Sequence, residues 1–124
     1  MKKLKKILLI DDDDACNFLH QDLLETHQVA NEVITCTSAS EAWELLQEVE
    51  PDLILLDINM PVMSGLEFLE QLYPFEIRRC PVVLLSSSGH PRDFSQASDL
   101  KVDYYLLKPL TQESITLVLE QLFG

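Results

Sequence analysis

Five side chains suited to phosphate chemistry stand at the ends of short apolar runs in this sequence. Asp11 and Asp12 follow Ile7-Leu8-Leu9-Ile10, and Asp57 follows Leu53-Ile54-Leu55-Leu56. Ser86 follows Pro81-Val82-Val83-Leu84-Leu85, and Lys108 follows Asp103-Tyr104-Tyr105-Leu106-Leu107. Three carboxylates gathered in one place repel, each unit-charge pair at about 4 Å costing on the order of 4 kcal/mol at an effective dielectric near 20. A hard cation relieves that repulsion. Mg²⁺ prefers oxygen ligands, keeps several waters, and is commonly held by one or two carboxylates together with phosphate oxygens. An ammonium and a hydroxyl beside it supply donors aimed at developing charge, so the set suits metal-assisted phosphoryl transfer to a carboxylate.

The elements around these residues must bring them together. Runs of four apolar residues bounded by Pro, Asp or Ser read as strands buried on both faces, as in the middle of a parallel sheet. Glu32-Val33-Ile34-Thr35-Cys36 is a β-branched stretch suited to an outer strand. Between the strands the period changes to that of helices. Ala15, Phe18, Leu19 and Leu23 recur at helical spacing behind a cap at Asp13 or Asp14. Ser38-Ala39-Ser40-Glu41 has the form of a capping box and opens a helix with Ala42, Leu45, Leu46 and Val49 inward, ended by Pro51. Ser64-Gly65-Leu66-Glu67 repeats that form before Leu66, Leu69 and Leu72-Tyr73. Residues 91–100 predict a short helix, and Thr111 caps a last one with Ile115, Val118, Leu119 and Leu122 on one side.

Five strands alternating with five helices predict a doubly wound α/β domain around a five-stranded parallel sheet. Right-handed crossovers on both faces require a point where strand order reverses, and ligands bind there, outside the carboxyl ends of the strands. All five candidate side chains stand at such ends.

Composition narrows the partners. Asp and Glu number 21 against 9 Lys and Arg, a net charge of −12, and Lys2, Lys3, Lys5 and Lys6 crowd the start. The remainder is more acidic still, which disfavours nucleic acid and anionic membranes and suits a cation or a basic partner. The 124 residues make one domain, 1–124, with no output domain expected. Cys16, Cys36 and Cys80 form no C-x-x-C pair and read as reduced thiols, the first two facing the core. His20, His27 and His90 lack metal-ligand spacing and read as surface or core residues. No apolar run approaches a membrane span, and the run behind the basic start is too short for a signal peptide, so a cytoplasmic location is expected.

Leu9-Ile10-Asp11-Asp12-Asp13, Asp57-Ile58-Asn59-Met60-Pro61-Val62-Met63-Ser64-Gly65, Leu85-Ser86-Ser87 and Lys108-Pro109 together resemble the receiver domain of two-component response regulators, in that family's order and spacing. The resemblance covers nearly the whole chain and implies the strand order 2-1-3-4-5. It implies that Asp57 accepts a phosphoryl group from a phosphohistidine on a sensor histidine kinase or phosphotransfer protein. Asp12 would ligate Mg²⁺ directly, Asp11 largely through water, and Asn59 through its backbone carbonyl. Lys108 would bind the phosphoryl group and precede a cis proline, while Ser86 and Tyr105 would form the switch pair that alters the surface met by a downstream protein target. Ser64 stands where Asp is common, Ser86 where Thr is commoner, and Ser87 where Ala is usual; Asn59 and Ser88 occupy positions that tune dephosphorylation.

Two other functions fit parts of the pattern. Asp11-x-Asp13 after a strand could supply nucleophile and acid/base to a haloacid-dehalogenase-type phosphatase, though Asp57 then has no task. An unphosphorylated pseudo-receiver acting as a binding module is the other, though it has no need of mutually repelling carboxylates. The expectation is a phosphorylatable switch that turns over no metabolite.

Overall fold

Successive side chains along a strand point to opposite faces of its sheet, so a strand covered on both faces is apolar at every position. The structure is a computed structural model that describes residues 3–58, 67–68, 80–86 and 103–123. Its strands are β1 (Leu4–Ile10), β2 (Ala30–Cys36), β3 (Leu53–Asp57), β4 (Val82–Ser86) and β5 (Tyr104–Leu107). They form one parallel sheet in the order β2-β1-β3-β4-β5, the doubly wound arrangement expected. Leu8, Ile10, Ile54, Leu56 and Leu84 point to one face, where Ala42, Leu46 and Phe68 cover them. Ile7, Leu9, Leu53, Leu55, Val83 and Leu85 point to the other, against Leu24, Ile115, Val118 and Leu119. A strand covered on both sides has no polar face. Each such leucine or isoleucine contributes about 1.5–3 kcal/mol by leaving water.

The described helices are α1 (Asp14–Thr26), α2 (Ala39–Glu48) and α3 (Gln112–Phe123). Asp13 caps α1, its Oδ1 accepting from the N–H groups of Ala15 and Cys16 at 2.9 and 3.2 Å. Ser38 Oγ accepts from Glu41 N–H at 3.1 Å, and Glu41 Oε1 accepts in return from Thr37 N–H at 3.1 Å, one residue before the expected box partner. Thr111 Oγ1 accepts from Ser114 N–H, and Ser114 Oγ from Thr111 N–H, both at 3.0 Å. The caps thus fall where Asp13, Ser38 and Thr111 predict. Trp43 is half-buried against the α2 side of the sheet. The helices expected at 64–73 and 91–100 lie outside the described residues, save Glu67 and Phe68, which are helical.

The face of α1 differs from expectation. Phe18 and Leu19 are 68% and 64% exposed, while the buried residues are Asn17, His20 and Leu24. Leu23 is half-buried, and Ala15 is exposed. The phase of the helix is set by hydrogen bonds as well as by apolar contact. Asn17 Nδ2 donates to the carbonyls of Asp11 and Cys36 at 2.9 and 3.1 Å. His20 Nε2 accepts from Leu110 N–H at 3.2 Å. Buried backbone groups at the sheet's edge need those partners, and meeting them turns Phe18 and Leu19 outward. Cys16 is correspondingly half-buried, whereas Cys36 is buried as expected.

Candidate functional site

Parallel register decides which strand ends meet. Ile10 pairs with Leu56, Asp57 with Leu85, and Ser86 with Leu107. The residues following β1, ending β3, ending β4 and following β5 therefore line one edge of the sheet. Asp11 N–H donates to Cys36 O at 3.1 Å and Lys108 N–H to Ser86 O at 2.7 Å, so the backbone continues the ladder one step beyond the strands.

Asp11, Asp57 and Ser86 are buried, at 3%, 3% and 0% exposure, while Asp12 is exposed. One carboxylate oxygen from each of Asp11, Asp12 and Asp57 lies within 4.8 Å of the others. Lys108 reaches in from the opposite end of the chain. Its Nζ is 2.6 Å from Asp11 Oδ2 and 3.1 Å from Asp57 Oδ1. Sequence reasoning placed Asp11, Asp12, Asp57, Ser86 and Lys108 together; the structure brings the four charged groups to one crevice and sets Ser86 at the adjoining end of β4. Asn59 lies outside the described residues, as do Ser64, Ser87 and Ser88. Tyr105 is half-buried on β5, packed against the core that includes Leu84. The Lys108–Pro109 bond is cis, as the resemblance implies.

The ionisation states follow from these contacts. Burial alone would raise the Asp11 carboxyl, but hydrogen bonds from Lys108 and from the Asp13 N–H outweigh it and hold it below the ordinary carboxylate range. Burial would likewise lower the Lys108 ammonium, and its bond to Asp11 with the field of Asp57 pushes it up instead. Both remain charged at neutral pH. Burial raises the Cys16 thiol to about 11, helped by its hydrogen bond to Asp11. Burial foremost, then the charge of Lys108, pushes His20 down and keeps it neutral.

The donor set fits a hard cation. It offers carboxylate oxygens alone, close enough to share one ion, with two of them already attracting an ammonium. Asp13, the second aspartate of the Asp11-x-Asp13 pattern, is exposed and its Oδ1 caps α1.

The family model for the response regulator receiver domain matches residues 7–120. This chain belongs to that family. Receiver domains in general bind Mg²⁺ at an acidic pocket and interact with histidine kinases or phosphotransfer proteins and with downstream targets. The receiver resembles a two-component response regulator from Cytophaga hutchinsonii at 34% identity and a TM-score of 0.88, covering 98% of each chain. It resembles a phosphorylated cyanobacterial phytochrome response regulator at 34% identity and a TM-score of 0.78, over 92% of this chain and 88% of that one. It is also 39% identical over 87 residues to a protein-glutamate methylesterase/protein-glutamine glutaminase of Caldanaerobacter subterraneus. That match covers 70% of the receiver and 23% of the other protein's length. No helix among the described residues is long and apolar enough to cross a membrane.

What the sequence did not reveal is the role of α1. Asn17 and His20 hold the backbone on either side of the crevice, and the only signal for them was two polar residues spaced i and i+3, as neighbours on one helix face are, in a helix that carries other polar residues as well.

Proposed function

We propose that this receiver takes a phosphoryl group onto Asp57 from a phosphohistidine on a histidine kinase or phosphotransfer protein, and thereby changes the surface it offers a downstream protein. The observation that carries this reading is the Lys108 ammonium seated on both Asp11 and Asp57 at the carboxyl ends of β1 and β3. A lysine so placed can follow charge from the Asp57 carboxylate to a phosphoryl oxygen bonded to it. Asp57 Oδ attacks phosphorus, the bond from phosphorus to the donor's imidazole nitrogen breaks, and that nitrogen leaves with its electron pair. Ser86, buried beside Asp57 in the next strand, donates its hydroxyl to the phosphoryl group.

Asp11, Asp12 and Asp57, with the carbonyl of Asn59, would hold Mg²⁺, which when bound offsets the negative charge of the attacking carboxylate and the incoming phosphoryl group. Ser86 and Tyr105 form the switch: drawing the Ser86 hydroxyl toward the new group frees space into which the Tyr105 ring turns, altering the outer face of β5 and α3. The receiver turns over no metabolite, and the activity in the methylesterase relative's name stays with that protein.

The experiment is intact-protein mass after incubation with acetyl phosphate, with Mg²⁺ and with EDTA, on the wild type and on Asp57→Asn. A single Mg²⁺-dependent phosphoryl adduct, absent from the variant while its fold persists, is the expected result. An adduct on Asp57→Asn would refute the assignment, and no adduct on the wild type would favour a constitutive binding module.

A further inference from the structure

The turn carrying Lys108 has few donors with which to anchor itself. Lys108 gives its backbone N–H to Ser86 O at 2.7 Å. Pro109 has none. The next donor, Leu110 N–H, belongs to a residue only 6% exposed, buried with Ile115, Val118 and Leu119. Its partner is no strand carbonyl but His20 Nε2, 90 residues earlier in the chain, at 3.2 Å. His20 is itself 3% exposed on the inner face of α1. One turn before it, Asn17 holds the Asp11 carbonyl at 2.9 Å. A single helix thus grips both the acidic turn and the lysine turn.

We infer that His20 is a positioning residue of the phosphoryl site, tying the Lys108-Pro109-Leu110 turn to the helix that holds the acidic pair and so setting the reach of the Lys108 ammonium. The inference rests on the phosphoacceptor reading of Asp57. An imidazole that accepts through Nε2 carries its proton on Nδ1; Cys16 Sγ, 3.8 Å from Nδ1 and 3.9 Å from Nε2, is nearly equidistant from the two nitrogens. The ring acts through the backbone of Leu110. A ring lost from this place lets the lysine turn drift, and sub-ångström placement is what catalytic donors depend on.

The test combines kinetics with a spectroscopic measurement. The initial rate of labelling by acetyl phosphate at saturating Mg²⁺ is expected to fall roughly ten- to a hundred-fold in His20→Leu. His20→Gln, whose side-chain carbonyl can take the same N–H, restores it to within about three-fold. In a Lys108→Met background His20→Leu adds no further loss, because the residue it positions is gone. An unchanged rate in folded His20→Leu, or an equal further loss in the Lys108→Met background, overturns the inference. Nitrogen-15 spectra of the wild type give a reading that needs no variant to fold: the Nδ1–H tautomer is expected, and an Nε2–H tautomer overturns the inference. Wild-type protein that never labels sinks the phosphoacceptor reading and this inference with it, whereas a labelling wild type with unaffected variants sinks only the role of His20.

Discussion

Replacing Lys108 by Met removes the counter-charge of the crevice while keeping the bulk of the side chain. The ammonium lies 2.6 Å from Asp11 and 3.1 Å from Asp57, and its side chain is 17% exposed. At an effective dielectric of 20 each attraction is worth about 5–6 kcal/mol, most of it offset by the cost of taking three charges out of water. What remains on breaking such a pair is a loss of about 3–5 kcal/mol, because two buried carboxylates are left uncompensated. Mg²⁺ can supply the missing charge. At a hundred times its dissociation constant a ligand adds about 2.7 kcal/mol to the folded state of either protein, so the gap narrows only as far as Mg²⁺ binds the variant more tightly, which it does where no ammonium competes for the same oxygens. Urea unfolding in EDTA should therefore show Lys108→Met about 3–5 kcal/mol less stable than wild type. In saturating Mg²⁺ the gap should narrow by about 1.4 kcal/mol or more, the equivalent of a tenfold tighter Mg²⁺ site in the variant. A gap under about 1 kcal/mol in EDTA, or one of the same size with and without Mg²⁺, would refute the view that Lys108 stands in for a cation among these carboxylates.

Two further outcomes follow from the same geometry. Because the folded Asp11 carboxyl lies below its ordinary value of 3.8, the unfolded chain binds its proton first as pH falls. Its stabilisation is present above about pH 4 and is lost as pH falls through the folded value, so unfolding free energies measured from pH 6 down to pH 2 should decline less steeply in Asp11→Asn. On α1, Phe18→Ala should change stability by no more than about 0.5 kcal/mol, whereas Leu24→Ala, emptying a fully buried site, should cost about 2–5 kcal/mol. Equal losses in urea midpoints would contradict the orientation of that helix.

The sheet was legible in the sequence because strands covered on both faces leave a signal that needs no phase. Ile7 to Ile10 and Leu53 to Leu56 must be apolar at every position, and their polar termini mark the crevice directly. The caps at Asp13, Ser38 and Thr111 were legible for a related reason: each is a local bond between a side chain and a backbone group three residues away or nearer. The inner face of α1 was not legible. A helix offers many phases, and reading apolar residues alone selected Phe18 and Leu19. The true phase answers to carbonyls of Asp11 and Cys36 and to the N–H of Leu110, groups that only the assembled chain brings near. The site residues were found by type and place; the helix that holds them was not, since its polar residues serve the backbone rather than a ligand.

The separation of 97 positions from Asp11 to Lys108 sets an order of events during synthesis. At about 5–20 residues per second, the lysine leaves the ribosome roughly five to twenty seconds after the acidic pair. In the second half of that interval the nascent chain carries Asp11, Asp12 and Asp57 but not the cation that joins them. The first strands can align earlier, yet their carboxyl ends repel until the last strand docks on β4 and delivers its charge. Closure of the crevice thus waits on the last strand, and until then dissolved cations are what can offset the repulsion among these carboxylates.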